Sequence, residues 1–252
     1  MDIQLLPLLG AAFLGGLIDS IAGGGGLVVL PVMLLAGMSP KFALGTNKLN
    51  STLGTGVAVW NFYKNGKLLF PLIATGLAFM LFGGFLGAQL ALTLSDALLA
   101  KVMIGMLPIG IVATLIKKKN SHVNEGLSDS DKWIKTPLIC LILGMYDGFF
   151  GPGTGSFLAL SFYIFLHLNL IQATANAKVF NFLSNLSALA SFIVSKKVIF
   201  SIGIPMAILG MAGNYIGSSL AIRKGDGLIR WCLSGVLLLL LGTLVWKYRS
   251  LL

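Results

Sequence analysis

Residues 19–26 read Asp-Ser-Ile-Ala-Gly-Gly-Gly-Gly, and the apolar run resumes at once as Leu-Val-Val-Leu before Pro31. Each glycine costs a helix about 1 kcal/mol relative to alanine, so a helix entering this stretch breaks there. Asp19 lies one turn before the break, in a segment with no other charge. The pattern returns 128 residues later as Asp147-Gly-Phe-Phe-Gly-Pro-Gly-Thr-Gly155, again within an apolar run. A broken helix with exposed backbone groups, present once in each half, points to a membrane transport site.

Composition agrees. Of 252 residues, 56% are hydrophobic and 10% charged, and the mean hydropathy is +0.92. Soluble domains carry about 25% charged residues, so this deficit places the chain in the membrane class. The net charge of +10 is spread over short connections with no basic face interleaved with aromatics, which argues against nucleic acid as a partner. Cationic loops are expected at a cytoplasmic membrane surface. Cys140 and Cys232 have neither metal-ligand nor redox spacing. No glycine run ends in Gly-Lys-Ser/Thr, and His122 and His167 are isolated, so nucleotide chemistry and a hydrolytic triad find no support. The expectation is a protein that is not an enzyme and needs no cofactor or metal.

Apolar runs near the ~20 residues needed to span hydrocarbon fall at 5–37, 42–62, 69–94 and 97–116, then at 134–167, 170–195, 199–222 and 227–246. At an offset of 130, Lys48 falls on Lys178, Lys67 on Lys197, Gly83 on Gly213 and Gly87 on Gly217. Hydrophobicity alone does not place such matches, which predict a first transmembrane repeat at 1–119, a polar linker at 120–133 and a second repeat at 134–252. If residues 5–37 cross once, the repeats are parallel and Lys and Arg divide eleven against five. If they turn back at the glycines, the repeats are inverted and the division is ten against six. The charge bias therefore favours about eight transmembrane spans in an all-α polytopic protein, the first helix of each repeat being broken at its Gly-rich stretch.

Lys48, in Gly45-Thr-Asn-Lys-Leu-Asn50, and Lys178, in Asn176-Ala-Lys-Val-Phe-Asn181, lie inside apolar runs. A lysine at the centre of a membrane helix costs on the order of 3 kcal/mol, so each needs a partner or a function. We expect both to supply positive charge to an anion site, with the amides of Asn47, Asn50, Asn176 and Asn181 beside them. Helix N-termini after Gly24, Gly25 and Gly26, and after Gly153, Thr154 and Gly155, add unpaired N–H groups that favour anions. Asp19 and Asp147 either neutralise the lysines or carry protons during transport, and the sequence leaves both roles open.

These motifs resemble a known family. Asp19 to Gly26 with Pro31, Gly45-Thr-Asn-Lys48 and Asn65-Gly-Lys67 resemble the first half of the sulfite exporter TauE/SafE family. Tyr146 to Gly155, with Asn176-Ala-Lys178 and Asn181, resembles its second half. The second Gly-Thr-Asn-Lys is degenerate, reading Ala175-Asn-Ala-Lys178. The resemblance implies a multi-pass permease of the bacterial inner membrane exporting sulfite or organosulfonates. Its partners would be a small anionic substrate and the lipid bilayer, with homo-oligomerisation left open. A passive anion channel and a permease for another anionic metabolite are the alternatives.

Overall fold

A computed structural model describes residues 5–103, 105 and 127–224. Within them the chain is helical, without strands: α1 (Leu5–Ala22), α2 (Gly26–Leu35), α3 (Pro40–Lys64), α4 (Phe70–Thr93), a wide turn (Asp131–Lys135) leading into α5 (Thr136–Phe149), α6 (Thr154–Phe165), α7 (Leu170–Val194) and α8 (Phe200–Lys224). The runs expected at 227–246 and across most of 97–116, and residues 120–126 of the linker, lie outside the described residues. Four of these helices (α1, α4, α7 and α8) are long and apolar enough to cross a membrane.

The helices start and stop where local chemistry directs. Prolines stand in the first turns of α3, α4 and α5, where a missing N–H costs no intrahelical bond. Left-handed residues follow the C-termini of six helices: Gly23 after α1, Gly37 after α2, Gly66 after α3, Gly151 after α5, His167 after α6 and Lys196 after α7. These close the helices by turning the chain aside.

The glycine breaks do more than interrupt. Gly23 adopts φ +81°, and α2 turns back along α1, so that Gly15 lies against Gly25 and Val29. A Cβ on Gly15 would come 2.5 Å from Val29 Cγ2, which is why only glycine permits the approach. In the second half, Lys135 Nζ donates to the carbonyl of Phe165 at 3.2 Å, joining the start of α5 to the end of α6. Both first runs are therefore hairpins, not the single crossings favoured by the charge count. At 1.5 Å per residue, α2 and α6 are about 15–18 Å long, half the ~30 Å hydrocarbon thickness.

Packing exchanges elements between halves. α1 packs along α8, α4 along α5, and α3 and α7 lie together at the centre. Ile199 N–H, beyond the end of α7, donates to Thr46 Oγ1 near the start of α3 at 3.0 Å. Leu69 N–H, beyond the end of α3, donates to Asn176 Oδ1 near the start of α7 at 2.9 Å. The two central helices are thus antiparallel. The hairpins meet at their tips, where Gly23 lies against Gly155 and Gly26 against Pro152.

The surface and interior are arranged for lipid. Phe79, Phe82 and Phe85 on α4, Leu138 and Ile142 on α5, and Ile204 and Ile208 on α8 face outward. Asn47, Lys48, Thr55, Asn181, Ser184 and Asn214 are buried. Such an apolar exterior around a polar interior suits hydrocarbon rather than water.

Candidate functional site

Lys48 and Lys178 are each the ninth residue of their helix, α3 and α7. Nine residues advance a helix about 13 Å, and both ammonium groups come level with the hairpin tips, Lys48 beside Gly151 and Lys178 beside Gly155. Each is neutralised by an aspartate from the opposite half. Lys48 Nζ lies 3.1 Å from Asp147 Oδ1, and Lys178 Nζ lies 2.8 Å from Asp19 Oδ2. Both lysines are almost fully buried, at 2% and 1% side-chain exposure.

The surroundings of the two pairs differ. Lys48 also donates to the backbone carbonyl of Asp147 at 2.5 Å and to Asn185 Oδ1 at 2.8 Å, so all three of its protons are used. Asp147 Oδ2 accepts from Asn181 Nδ2 at 3.2 Å and from the Ser184 hydroxyl. Asp147 is 1% exposed. Asp19, at 16%, is more open, and its second oxygen accepts a long 3.4 Å bond from Gly25 N–H at the start of α2.

A polar cavity of about 20 Å³ lies between the pairs. It is lined by Asp19, Gly23, Gly26, Asn47, Lys48, Ser51, Asp147, Gly151, Asn181 and Asn185. That volume accommodates a water but not a sulfur oxyanion. Asn47 Oδ1 is buried without a hydrogen-bond partner. Gly151, at φ +97°, lies where a Cβ would come 3.0 Å from Lys48 Nζ and 2.9 Å from Asp147 Oδ1. The glycine keeps the ion pair accessible to the backbone turn.

The structure brings Lys48, Asp19, Asp147, Asn47, Asn181 and Gly26 to this cavity. Gly155 and Lys178 lie behind it, a Cβ on Gly155 falling 3.2 Å from Lys178 Nζ. Gly24 and Gly25 form the turn of the first hairpin, their carbonyls accepting from Leu27 and Val28. Gly153, at φ +86°, caps α6, and the Thr154 hydroxyl donates to the carbonyl of Gly151 at 2.7 Å. Two expected contributors lie elsewhere. Asn176 binds Leu69 N–H and the carbonyl of Gln172, pinning the α3–α4 connection, and a Cβ on Gly210 of α8 would meet Asn50 Oδ1 at 2.2 Å. Their proximity to the lysines in sequence misleads because α3 and α7 turn them onto other faces. Ser51, Ser184 and Gly151 were not anticipated. The Ser184 signal was present as Asn181-x-x-Ser184-Asn185, one polar helical face on an apolar helix. Among the described residues, no group of three or more His, Cys, Asp or Glu side chains is placed to hold a metal ion.

The chain is 38% identical to a probable membrane transporter protein, YfcA, of Escherichia coli K12, over 87% of this chain and 81% of that one. It is 36% identical to the probable membrane transporter protein ORF9 of a Sinorhizobium species, over 87% and 84%. A Haemophilus influenzae probable membrane transporter protein is 35% identical, over 91% and 90%. No solved structure matches the chain. The sulfite exporter TauE/SafE profile matches residues 8–244, and the chain belongs to that family of multi-pass membrane proteins.

Proposed function

We propose that the protein is a secondary transporter, working as an exporter, for small sulfur-containing anions such as sulfite or organosulfonates across the bacterial inner membrane. The observation that carries this reading is the pair of buried lysines at the meeting point of the two hairpin tips, each held by an aspartate of the other half. A buried cation paired with a carboxylate exchanges that carboxylate for a monovalent substrate anion without leaving net charge in the membrane when the displaced carboxylate takes up a proton. The family and the transporter names of its relatives support transport, and the family name supports a sulfur oxyanion.

We read the chain as two inverted repeats. Supporting this, α3 and α7 are antiparallel, and the left-handed residues Gly37 and His167, like Gly66 and Lys196, stand 130 positions apart. Alternating access is then rocking of the hairpins about their shared tips. The small central cavity fits an occluded carrier better than an open anion channel. Proton coupling through Asp19 or Asp147 completes the cycle.

Uptake of labelled sulfite or a sulfonate into proteoliposomes tests the proposal. We expect saturable flux that is lost in Lys178→Ala with the protein still folded. Flux that is absent, or indifferent to replacement of both lysines in a folded protein, overturns it.

A further inference from the structure

We infer that the two ion pairs have diverged into a fixed strut and a working pair, and that Asp19–Lys178 is the working pair, which takes one proton and one monovalent anion together. This inference rests on the transport reading above.

The divergence is written on the two central helices. On α7, Asn181, Ser184 and Asn185 bind Asp147 or Lys48 and leave that pair no free proton or uncovered carboxylate oxygen. The α3 positions 130 residues earlier are Ser51, Gly54 and Thr55. None of them bonds Asp19 or Lys178, and the Thr55 hydroxyl turns back to the carbonyl of Ser51 at 2.6 Å. Among the described residues Lys178 is therefore buried with one hydrogen-bond partner, Asp19 Oδ2 at 2.8 Å, which leaves two of its protons unmatched there. Leaving buried charged donors unmet is costly unless another acceptor arrives.

Asp19 already occupies the place an anion would take. Its carboxylate joins the Lys178 ammonium to the Gly25 amide at the start of α2, combining a buried cation with a helix N-terminus. It also lines the central cavity, with Lys178 behind it. The groups facing it are few: Lys178 from α7, with Lys48 and Asp147 across the cavity. α2 carries no ionisable side chain, α6 carries Tyr163 alone, and α8 carries Tyr215 alone before Arg223.

The exchange balances in charge. A proton from cavity water adds to an Asp19 carboxylate oxygen, and the N–H···O link from Lys178 breaks. The unmatched ammonium protons then bind the oxygens of the incoming anion. Before the step the pair is Asp⁻ and Lys⁺; afterwards it is neutral Asp, Lys⁺ and one substrate charge. The membrane interior stays neutral only if that substrate is singly charged, as bisulfite and alkyl monosulfonates are.

Methanesulfonate tests this cleanly, because it remains a monoanion across the working pH range while sulfite itself titrates. The readout is anion-induced thermal stabilisation of the detergent-purified full chain at a series of pH values. We expect the wild-type response to grow as pH falls. Asp19→Asn, which mimics the protonated acid, should respond at every pH with no such trend, and Lys178→Gln should lose the response. Asp147→Asn should lower the ligand-free melting temperature more than Asp19→Asn does and keep the pH trend. If Asp147→Asn does not fold, Ser184→Ala replaces it with the same expectations. A wild-type pH trend in Asp19→Asn, or its loss in Asp147→Asn or Ser184→Ala at unchanged ligand-free stability, overturns the inference. A response to nitrate or a carboxylate but to no sulfur anion, with the same Asp19 dependence, upholds the inference and sinks the sulfur substrate. No response to any anion at any pH sinks both.

Discussion

Lys48 illustrates what a buried charge asks of its neighbours. Removing one member of a buried ion pair leaves the other uncompensated and typically costs about 3–5 kcal/mol. Asp147→Ala is expected to destabilise the protein by about this amount, measured by unfolding in detergent, with Lys48→Met/Asp147→Leu recovering part of the loss. Ser184→Ala removes one bond to a charged acceptor and is expected to cost about 1.5–3 kcal/mol in the same assay. Both lysines and both aspartates were legible in the sequence, because charge in an apolar run stands out against its surroundings. Which lysine meets which aspartate was not legible. The pairs join residues 99 and 159 positions apart, and only the antiparallel crossing of α3 and α7 brings them together.

The hairpins depend on contacts that no side chain makes. On the flank of the second hairpin, a Cβ on Gly148 of α5 would meet the carbonyl of Gly84 on α4 at 2.0 Å. Gly148→Ala is therefore expected to push α4 from α5 and lower the melting temperature, whereas Gly10→Ala, with open space around it, should not. The open end of this hairpin is tied outside the apolar run by Asp131, whose carboxylate lies 2.7 Å from Lys135 Nζ and also accepts from Ser128 N–H. Burial pushes the Asp131 carboxyl up, but the bonds from Lys135 and Ser128 outweigh it and hold it below the ordinary carboxylate range. A lowered folded-state value means that this contribution is present above the unfolded-state value and is lost as pH falls through the folded one. The acid limb of a melting-temperature profile should therefore flatten in Asp131→Asn. The breaks themselves were readable from four glycines in a row. Their reversal of direction was not, because it is decided by one left-handed backbone at Gly23 and a close approach at Gly15.

Across the whole molecule, the hairpin turns change which loops share a membrane face. With α3 and α7 antiparallel, the connection holding Lys67 lies beside the start of α7, and the one holding Lys197 lies beside the start of α3. Single cysteines at positions 67 and 197 are therefore expected to react with impermeant reagents from opposite sides of the membrane. Reaction from one side only would restore the parallel, eight-span arrangement. The sequence placed α3, α4, α7 and α8 to within a few residues, since hydrocarbon thickness fixes their length. Its Lys and Arg count favoured a single crossing for each first run where the structure has a hairpin, because a bias of eleven against five and one of ten against six are too close for loop charge to decide a backbone turn. The exchanged ion pairs also impose an order on biosynthesis. Asp19 and Lys48 leave the ribosome long before Lys178 and Asp147, their final partners, have been made. The nascent first half must wait in the translocon or lipid with both charges unsettled, and a chain stopped before Asp147 exposes two signals that membrane quality control can recognise.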